Sequence, residues 1–338
     1  MKKGFKRLLI GVGVAGAVTT TTAAIYHKTA NSIAGLALER EPKTNKNMKK
    51  MANRLSGDTQ KDEKTGMLLK EAIEQLRNEP IETVEMESFD GLKMIGHWYP
   101  CENAKRILVA MHGWRSSWLS DFSIISEFWH KNGCSILFAE QRGQGKSNGD
   151  YISFGLVERY DCEKWVKWVN ENISNVTPIY LCGLSMGAST VLMASALSLP
   201  ENVCGVIADC GFTSPHAIGK HVTENNLHFY YGPISKAVDD IFKNKIQLQT
   251  SNYSTVDAMK ENKLPVLFIH GTDDKFVPVE MTYENYIACT APKRLLVVPG
   301  AGHGKSYLVE KELYQKTVLE FWNEFDKPVQ LNNFKKII

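Results

Sequence analysis

Residues 179–199 read IYLCGLSMGASTVLMASALSL and decide the fold that we expect for this chain. Ile179 to Cys182 is a short, continuous apolar run, which is typical of a strand buried on both faces of a sheet. Gly183-Leu184-Ser185-Met186-Gly187 follows, and Ala188 to Leu199 is predicted to form an apolar helix. The stretch therefore predicts a buried strand, a tight turn at Ser185 and a helix.

This turn holds a candidate nucleophile. A serine in G-x-S-x-G between a strand and a helix occupies the strained turn called a nucleophile elbow. A Cβ at Gly183 or Gly187 would clash there, and the turn lifts the Ser185 hydroxyl above the sheet, at the positive end of the helix. The alternative is an ordinary strand-to-helix loop, but the flanking strand and helix favour the elbow.

Other apolar runs continue this rhythm on both sides. They are Ile107 to Met111, Ser135 to Ala139, Val203 to Ala208, Val266 to Ile269 and Leu295 to Val298. Continuous apolar strands that alternate with helices predict a parallel sheet covered on both faces. Before them, the alternation from Glu82 to Trp98, with a turn at Asp90-Gly91, predicts an antiparallel hairpin.

One stretch, at about residues 212–263, contains no core strand. An insertion of this length over the carboxyl end of a sheet is expected to form a lid or a substrate pocket. Its aromatic residues Phe229, Tyr230 and Tyr231 are candidates either for lining an acyl groove or for packing the lid.

A serine hydroxyl needs a general base, and His303 is the candidate. It lies in Val298-Pro299-Gly300-Ala301-Gly302-His303-Gly304, a glycine-rich loop after the last predicted strand, from which it can swing over the serine. His270 is the nearest competitor, but it ends a strand in front of Gly271 and is expected to pack or to bond to backbone.

The acid that orients the imidazole is expected after a neighbouring strand. Asp273 and Asp274 both follow the strand Val266 to Ile269, and Asp209 follows the strand before it. Asp274 is the predicted acid. Asp273 is expected to face water or to cap the turn, and Asp209 is the third candidate.

An acyl-transfer transition state also needs N–H donors for its oxyanion. Met186, directly after the serine, supplies one. The second is expected from the loop that begins His112-Gly113-Trp114-Arg115, after the strand Ile107 to Met111, with the N–H of Trp114 as donor. His112 is expected to be structural and buried beneath this loop.

Composition sets wider limits. The 338 residues are 43% hydrophobic and 23% charged with a net charge of +3, which is normal for a globular protein and too mild to indicate nucleic-acid binding. Seven cysteines at wide spacings form no metal-binding pattern and no disulfide framework. We therefore predict no cofactor, no metal and no nucleic-acid partner.

The N-terminus predicts a membrane anchor. Four basic residues precede Leu8 to Tyr26, which is a run of 19 positions without a charge. The sequence thus divides into a signal anchor (1–28), a tether with a short helix (29–80) and a main domain (81–338). The charge distribution predicts a single-pass protein of the cell membrane with an extracytoplasmic catalytic domain, and a cleaved, secreted form is the alternative.

Taken together, these motifs resemble the α/β-hydrolase superfamily. His112-Gly113, Arg142 to Ser147, Gly183 to Gly187, Gly271 to Pro278 and Gly302-His303 appear in its order and spacing. The chain looks most like the bacterial branch of serine aminopeptidase-like hydrolases, lysophospholipases and cinnamoyl ester esterases. Gln144 and Gln141 depart from the common pattern.

The resemblance implies a mostly parallel eight-stranded sheet with helices on both faces and a helical lid. It implies a serine hydrolase that cleaves a small-molecule or lipid-like acyl ester with Ser185, His303 and Asp274, in the manner of a carboxylesterase or lysophospholipase. A peptidase or amidase of the serine aminopeptidase type, an acyltransferase and a non-catalytic binding protein are the alternatives.

Overall fold

The computed structural model describes residues 24–41, 63–226, 228 and 231–326. Its centre is an eight-stranded sheet in the order β1-β2-β4-β3-β5-β6-β7-β8. The strands are β1 (Glu82–Glu87), β2 (Lys93–Tyr99), β3 (Arg106–Met111), β4 (Cys134–Ala139), β5 (Ile179–Leu184), β6 (Val203–Asp209), β7 (Val266–Gly271) and β8 (Lys293–Val298).

The sheet is parallel from β3 to β8, whereas β2 lies antiparallel to both β1 and β4. β3, β4 and β7 are buried along their whole length, as their continuous apolar sequences predict. The expected hairpin and the mostly parallel, eight-stranded sheet are confirmed. The carboxyl ends of β3, β5, β6, β7 and β8 therefore share one edge, where the candidate site residues meet.

Helices cover both faces of this sheet. An N-terminal helix, α1, includes residues 24–38. The others are α2 (Glu63–Arg77), α3 (Trp118–Lys131), α4 (Glu158–Asn172), α5 (Met186–Ala194), α6 (Pro215–His221), α7 (Gly232–Ile246), α8 (Thr255–Glu261), α9 (Val279–Ala288), α10 (Ser306–Val309) and α11 (Lys311–Phe325). Trp129 and Trp322 pack against one face, and Trp165 and Met259 against the other.

The stretch between β6 and β7 is helical, as expected for the insertion at about 212–263. It contains α6, a π-helical turn (Val222–Asn226), α7 and α8. α8 joins the core beside the sheet, whereas α7 packs with Val238 and Phe242 against α1. A lid role for this insertion stays a prediction.

The expected anchor needs a correction. Residues 1–23 lie outside the described ranges, and in the chain from residue 24 onward no helix that the structure describes is long and apolar enough to cross a lipid bilayer. The predicted transmembrane helix, signal anchor and single-pass membrane location are therefore wrong. Ala30, Ala34 and Leu38 of α1 are fully buried against other parts of the protein.

Residues 29–41 also differ from the tether expected over residues 29–80. Ala30, Ala34 and Leu38 follow one another at intervals of four, so they form one apolar stripe along α1. This stripe packs against Val238 and Phe242 of α7. The short helix expected from Met67 to Arg77 lies within α2, and residues 42–62 lie outside the described ranges.

Candidate active site

Ser185 occupies a strained turn between β5 and α5. Its φ is 56° and its ψ is −117°, a conformation that costs energy and persists where the surroundings impose it. A Cβ on Gly187 would lie 1.8 Å from the carbonyl oxygen of Met111, and one on Gly183 would lie 2.2 Å from that of Gly187. Glycine is therefore required on both sides of the serine, as the sequence predicts.

Three of the predicted residues form one hydrogen-bonded chain. The Nε2 of His303 lies 2.9 Å from the Oγ of Ser185, and its Nδ1 lies 2.7 Å from the Oδ2 of Asp274. A carboxylate can only accept, so Nδ1 carries the proton of the neutral ring and Nε2 is free to accept from the serine. The geometry is that of a nucleophile, a base and an orienting acid.

Asp274 is buried but richly hydrogen-bonded. Its Oδ1 accepts the N–H groups of Phe276 and Val277, each at 2.9 Å. Burial alone would raise its pKa, but the charge of His303 and the hydrogen bonds from His270 and His303 outweigh burial and hold the pKa of Asp274 well below its usual value. The carboxyl group therefore stays ionised, as an orienting acid must.

His270 is not the base, because its ring is enclosed on every side. It is fully buried, and its Nδ1 lies 2.6 Å from the hydroxyl of Thr282. Its Nε2 faces Asp274 Oδ2 at 3.1 Å and the carbonyl of Val277 at 2.9 Å. The ring thus packs and bonds to backbone, as expected, and it also supports the acid.

The two other aspartates lie apart from the imidazole chain. Asp273 is exposed and accepts a hydrogen bond from Thr272. Asp209 is buried at the end of β6, where its Oδ1 lies 3.4 Å from the hydroxyl of Ser306. Burial, only partly opposed by the charges of His270 and His303, raises the pKa of Asp209 to about 6.

The predicted oxyanion donors flank the serine. A Cβ on Gly113 would lie 3.5 Å from the Cβ of Ser185, so the loop after β3 passes directly beside the nucleophile. Trp114 follows Gly113, and Met186 is the first residue of α5, whose N–H has no partner within the helix. Among the described residues, neither the N–H of Trp114 nor that of Met186 donates to a backbone acceptor outside its own element.

Two side chains outside the predicted site residues hold this loop. Asp121 accepts the N–H of Gly113 at 2.6 Å, and Gln144 accepts the N–H of Arg115 at 2.6 Å. Arg115 itself has a left-handed backbone, with φ of 52°. An acid in the first turn of the helix after the loop was the available signal for Asp121. Gln144, one of the departures from the family pattern, helps to position the loop through its hydrogen bond with the N–H of Arg115.

His112 is buried beneath the loop, as predicted. Its Nδ1 donates to the carbonyl of Gly113 at 2.8 Å, and its Nε2 accepts the N–H of Gln141 at 3.2 Å. Within the described ranges, the one group of His, Cys, Asp or Glu ligands that could surround a metal is Cys210, Asp274 and His303. Two of these three are already hydrogen-bonded to each other, and that bond aligns the imidazole with the serine.

Ser185 and His303 open into a cavity of about 470 Å³. Trp114, Phe276 and Lys305 lie on its wall, and Thr65 and Leu69 of α2 also line it. The Phe276 ring meets the His303 ring edge to face, with centroids 5.0 Å apart. The cavity is large enough for a small organic substrate beside the serine.

Comparison with known proteins agrees with this geometry. The sequence pattern of the family described as Serine aminopeptidase, S33, matches residues 102–234. The fold is similar to that of the Pyrococcus furiosus esterase PF2001, with a TM-score of 0.59 and 25% identity over 73% of this chain and 93% of that one. The chain therefore has the α/β-hydrolase fold.

Two further proteins extend the comparison. The uncharacterized protein YqkD of Bacillus subtilis is 28% identical over 56% of this chain, and the match spans 62% of that relative's length. The structure of Est1E from Butyrivibrio proteoclasticus with bound ferulic acid has a TM-score of 0.55 at 20% identity, over 72% of this chain and 98% of that one. The chain thus shares its fold with a protein named as an esterase and with one whose structure contains ferulic acid.

Proposed function

We propose that this protein is a serine hydrolase that cleaves carboxylic esters through an acyl-enzyme intermediate. The hydrogen-bonded chain from Ser185 through His303 to Asp274 carries the proposal, since it supplies a nucleophile, a base and an orienting acid at contact distances. The serine faces a cavity rather than the core, so a substrate can reach it.

The reaction has two balanced steps. The Oγ of Ser185 attacks the ester carbonyl while His303 Nε2 takes its proton, and the N–H groups of Trp114 and Met186 hold the oxyanion. The C–O bond to the alcohol then breaks, and His303 returns the proton to the leaving oxygen. Water, deprotonated by the same imidazole, attacks the acyl-enzyme and releases the carboxylic acid and the free serine.

The first experiment compares the full-length protein with Ser185→Ala on p-nitrophenyl acetate, butyrate and hexanoate. We expect kcat to fall by about 10⁴-fold or more in the variant, because no other group is placed to accept the acyl chain. A fluorophosphonate probe should label the unaltered protein and leave the variant unlabelled. Equal activity in both proteins would overturn the proposal.

The family description favours one second candidate, an aminopeptidase. Such an enzyme needs a free carboxylate for the α-amine of its substrate. The insertion carries Glu224, Asp239 and Asp240; Glu224 accepts the N–H of Tyr231 at 3.3 Å, Asp239 accepts that of Thr250 at 3.2 Å, and Asp240 is exposed. None of these three acids lines the cavity that holds Ser185, which favours the ester over the amine-bearing peptide.

Two measurements separate the remaining alternatives. Amino-acid p-nitroanilides measured beside the esters test the peptidase, which predicts the larger kcat/KM on the anilides. Product analysis with added methanol tests an acyltransferase, which would form methyl ester in preference to acid. A binding protein without catalysis would hydrolyse none of these compounds.

A further inference from the structure

A second, apolar cavity lies next to the catalytic one. Its volume is about 90 Å³, and its wall is almost entirely apolar. Three groups of residues that are distant in sequence supply this wall. The first is on α1 (Ile33, Leu36 and Ala37), and the second is on the helical stretch after β6 (Ile218, Val222, Val238 and Phe242). The third consists of the aromatic residues Trp114, Phe154 and Phe276, which lie in separate loops.

The two cavities share Trp114 and Phe276 as walls. Trp114 belongs to the loop beside Ser185, and Phe276 contacts His303. The rings of Trp114 and Phe276 stack with their centroids 6.5 Å apart, and both rings border the two cavities. The apolar space is therefore adjacent to the cavity that holds Ser185.

Helix α1 is hydrogen-bonded to Trp114 and Arg115. The indole Nε1 of Trp114 donates to the carbonyl of Ala37 at 2.9 Å. The guanidinium of Arg115 donates to the carbonyl of Leu36 at 3.0 Å and also to that of Glu39. A cation at the carboxyl end of a helix is favoured by both the free carbonyls and the helix dipole.

The other side of α1 is fixed to α7. Lys245 forms an ion pair with Glu39 at 2.6 Å, and the apolar stripe of α1 packs against Val238 and Phe242. Residues 24–41 therefore connect the loop beside the nucleophile to the helices after β6. They also lie outside residues 102–234, which the family pattern matches, so this wall is a feature of the chain's own N-terminal segment.

We propose that the apolar cavity binds the acyl chain of the substrate ester, and that α1 sets the length of the chain it accepts. This inference rests on the proposed ester hydrolysis at Ser185. An apolar cavity of about 150 Å³ holds benzene, so one of 90 Å³ suits an unbranched chain of about four carbons. The polar alcohol part then stays in the larger cavity, near Lys305.

The test fills the cavity from α1. Full-length Ala37→Leu is compared with Asn31→Leu, which adds the same side chain to an exposed position of the same helix. We expect the ratio of kcat/KM on p-nitrophenyl butyrate to that on the acetate to fall about tenfold or more in Ala37→Leu. Asn31→Leu should keep the ratio of the unaltered protein.

A reciprocal variant guards against a simple folding defect. Val238→Ala enlarges the same cavity from α7, and it should raise the octanoate-to-butyrate ratio of kcat/KM severalfold. Circular dichroism melting checks that each variant folds. An unchanged chain-length profile in both folded variants would overturn the proposal.

A third series separates this inference from the proposed function. p-Nitrophenyl alkylphosphonates with methyl, butyl and octyl chains react with an active serine whatever its natural substrate. Ser185 Oγ bonds to phosphorus, p-nitrophenolate leaves, and the serine proton passes to His303. No labelling of the unaltered protein would end both proposals. Labelling whose chain-length profile is the same in Ala37→Leu would end the acyl-cavity proposal alone.

Discussion

The turns after β6 and β7 each place a buried aspartate near His270 and His303, but the two carboxyl groups differ in charge. Asp274 receives two backbone N–H groups and the His303 ring, and its pKa is lowered. Asp209 has a 3.4 Å contact with Ser306 and a hydrogen bond with Tyr314, and burial raises its pKa to about 6. Burial is common to both, so the charge and the ring N–H of His303, which contact Asp274 directly, keep that carboxyl ionised.

The largest expected difference between the two turns is in catalysis. Asp274→Asn should lower kcat on p-nitrophenyl butyrate by roughly 10⁴-fold, because the amide no longer fixes the imidazole with its proton on Nδ1. Asp209→Asn is the matched control and should stay within about threefold. Similar losses in both variants would show that Asp209 shares the role of the acid.

The second difference is in acid stability. The folded-state pKa of Asp274 is lowered, so this carboxyl stabilises the fold above its unfolded pKa of about 4, and that contribution is lost as the pH falls below it. The loss between pH 6 and pH 3 is about 1 kcal/mol, because pH 3 lies only about one unit below the unfolded pKa. Urea unfolding at pH 3 and pH 6 measures it, and Asp274→Asn should show the smaller difference between the two pH values.

The third difference has the opposite sign. The folded-state pKa of Asp209 is raised to about 6, so its contribution to stability is full below about pH 4 and is lost as the pH rises through 6. Asp209→Asn should therefore gain on the order of 2 kcal/mol over the unaltered protein at pH 8 and little at pH 4. A gain of equal size at both pH values would contradict the assignment.

The smallest expected effect is at the support of the acid. Thr282→Val removes the hydroxyl that faces His270, while the contacts of His270 with Asp274 and Val277 remain. We expect kcat to fall about threefold and stability to fall by about 1 kcal/mol. Thr290→Val, at an exposed threonine, is the control, and a loss equal to that of Asp274→Asn would place His270 in the reaction itself.

The sequence predicted the parts of the molecule whose signals are local. Continuous apolar runs located the strands, and G-x-S-x-G between a strand and a helix located Ser185. His303 and Asp274 could be predicted because the carboxyl ends of parallel strands share one edge. The hydrogen-bond partners that separate Asp274 from Asp209 come from loop geometry, which the order of residues does not specify.

The apolar wall was not predicted from the sequence, because the residues that form it lie far apart along the chain. Residues 29–41 were assigned to a tether, because the apolar positions of a single short helix do not specify what covers it. Their cover is α7, Trp114 and Arg115, which come much later in the sequence. Only the three-dimensional contacts show that α1 packs against the protein.

The docking of α1 on α7 has a consequence for how the protein is made. Ribosomes add about 5–20 residues per second, and roughly 200 residues separate Leu38 from Phe242, so the apolar stripe of α1 leaves the ribosome about 10–40 s before its partner. During that interval the stripe is a natural ligand for a chaperone. We therefore expect the nascent chain to complete its substrate site late, when α1, although synthesised early, is among the last of the described helices to pack.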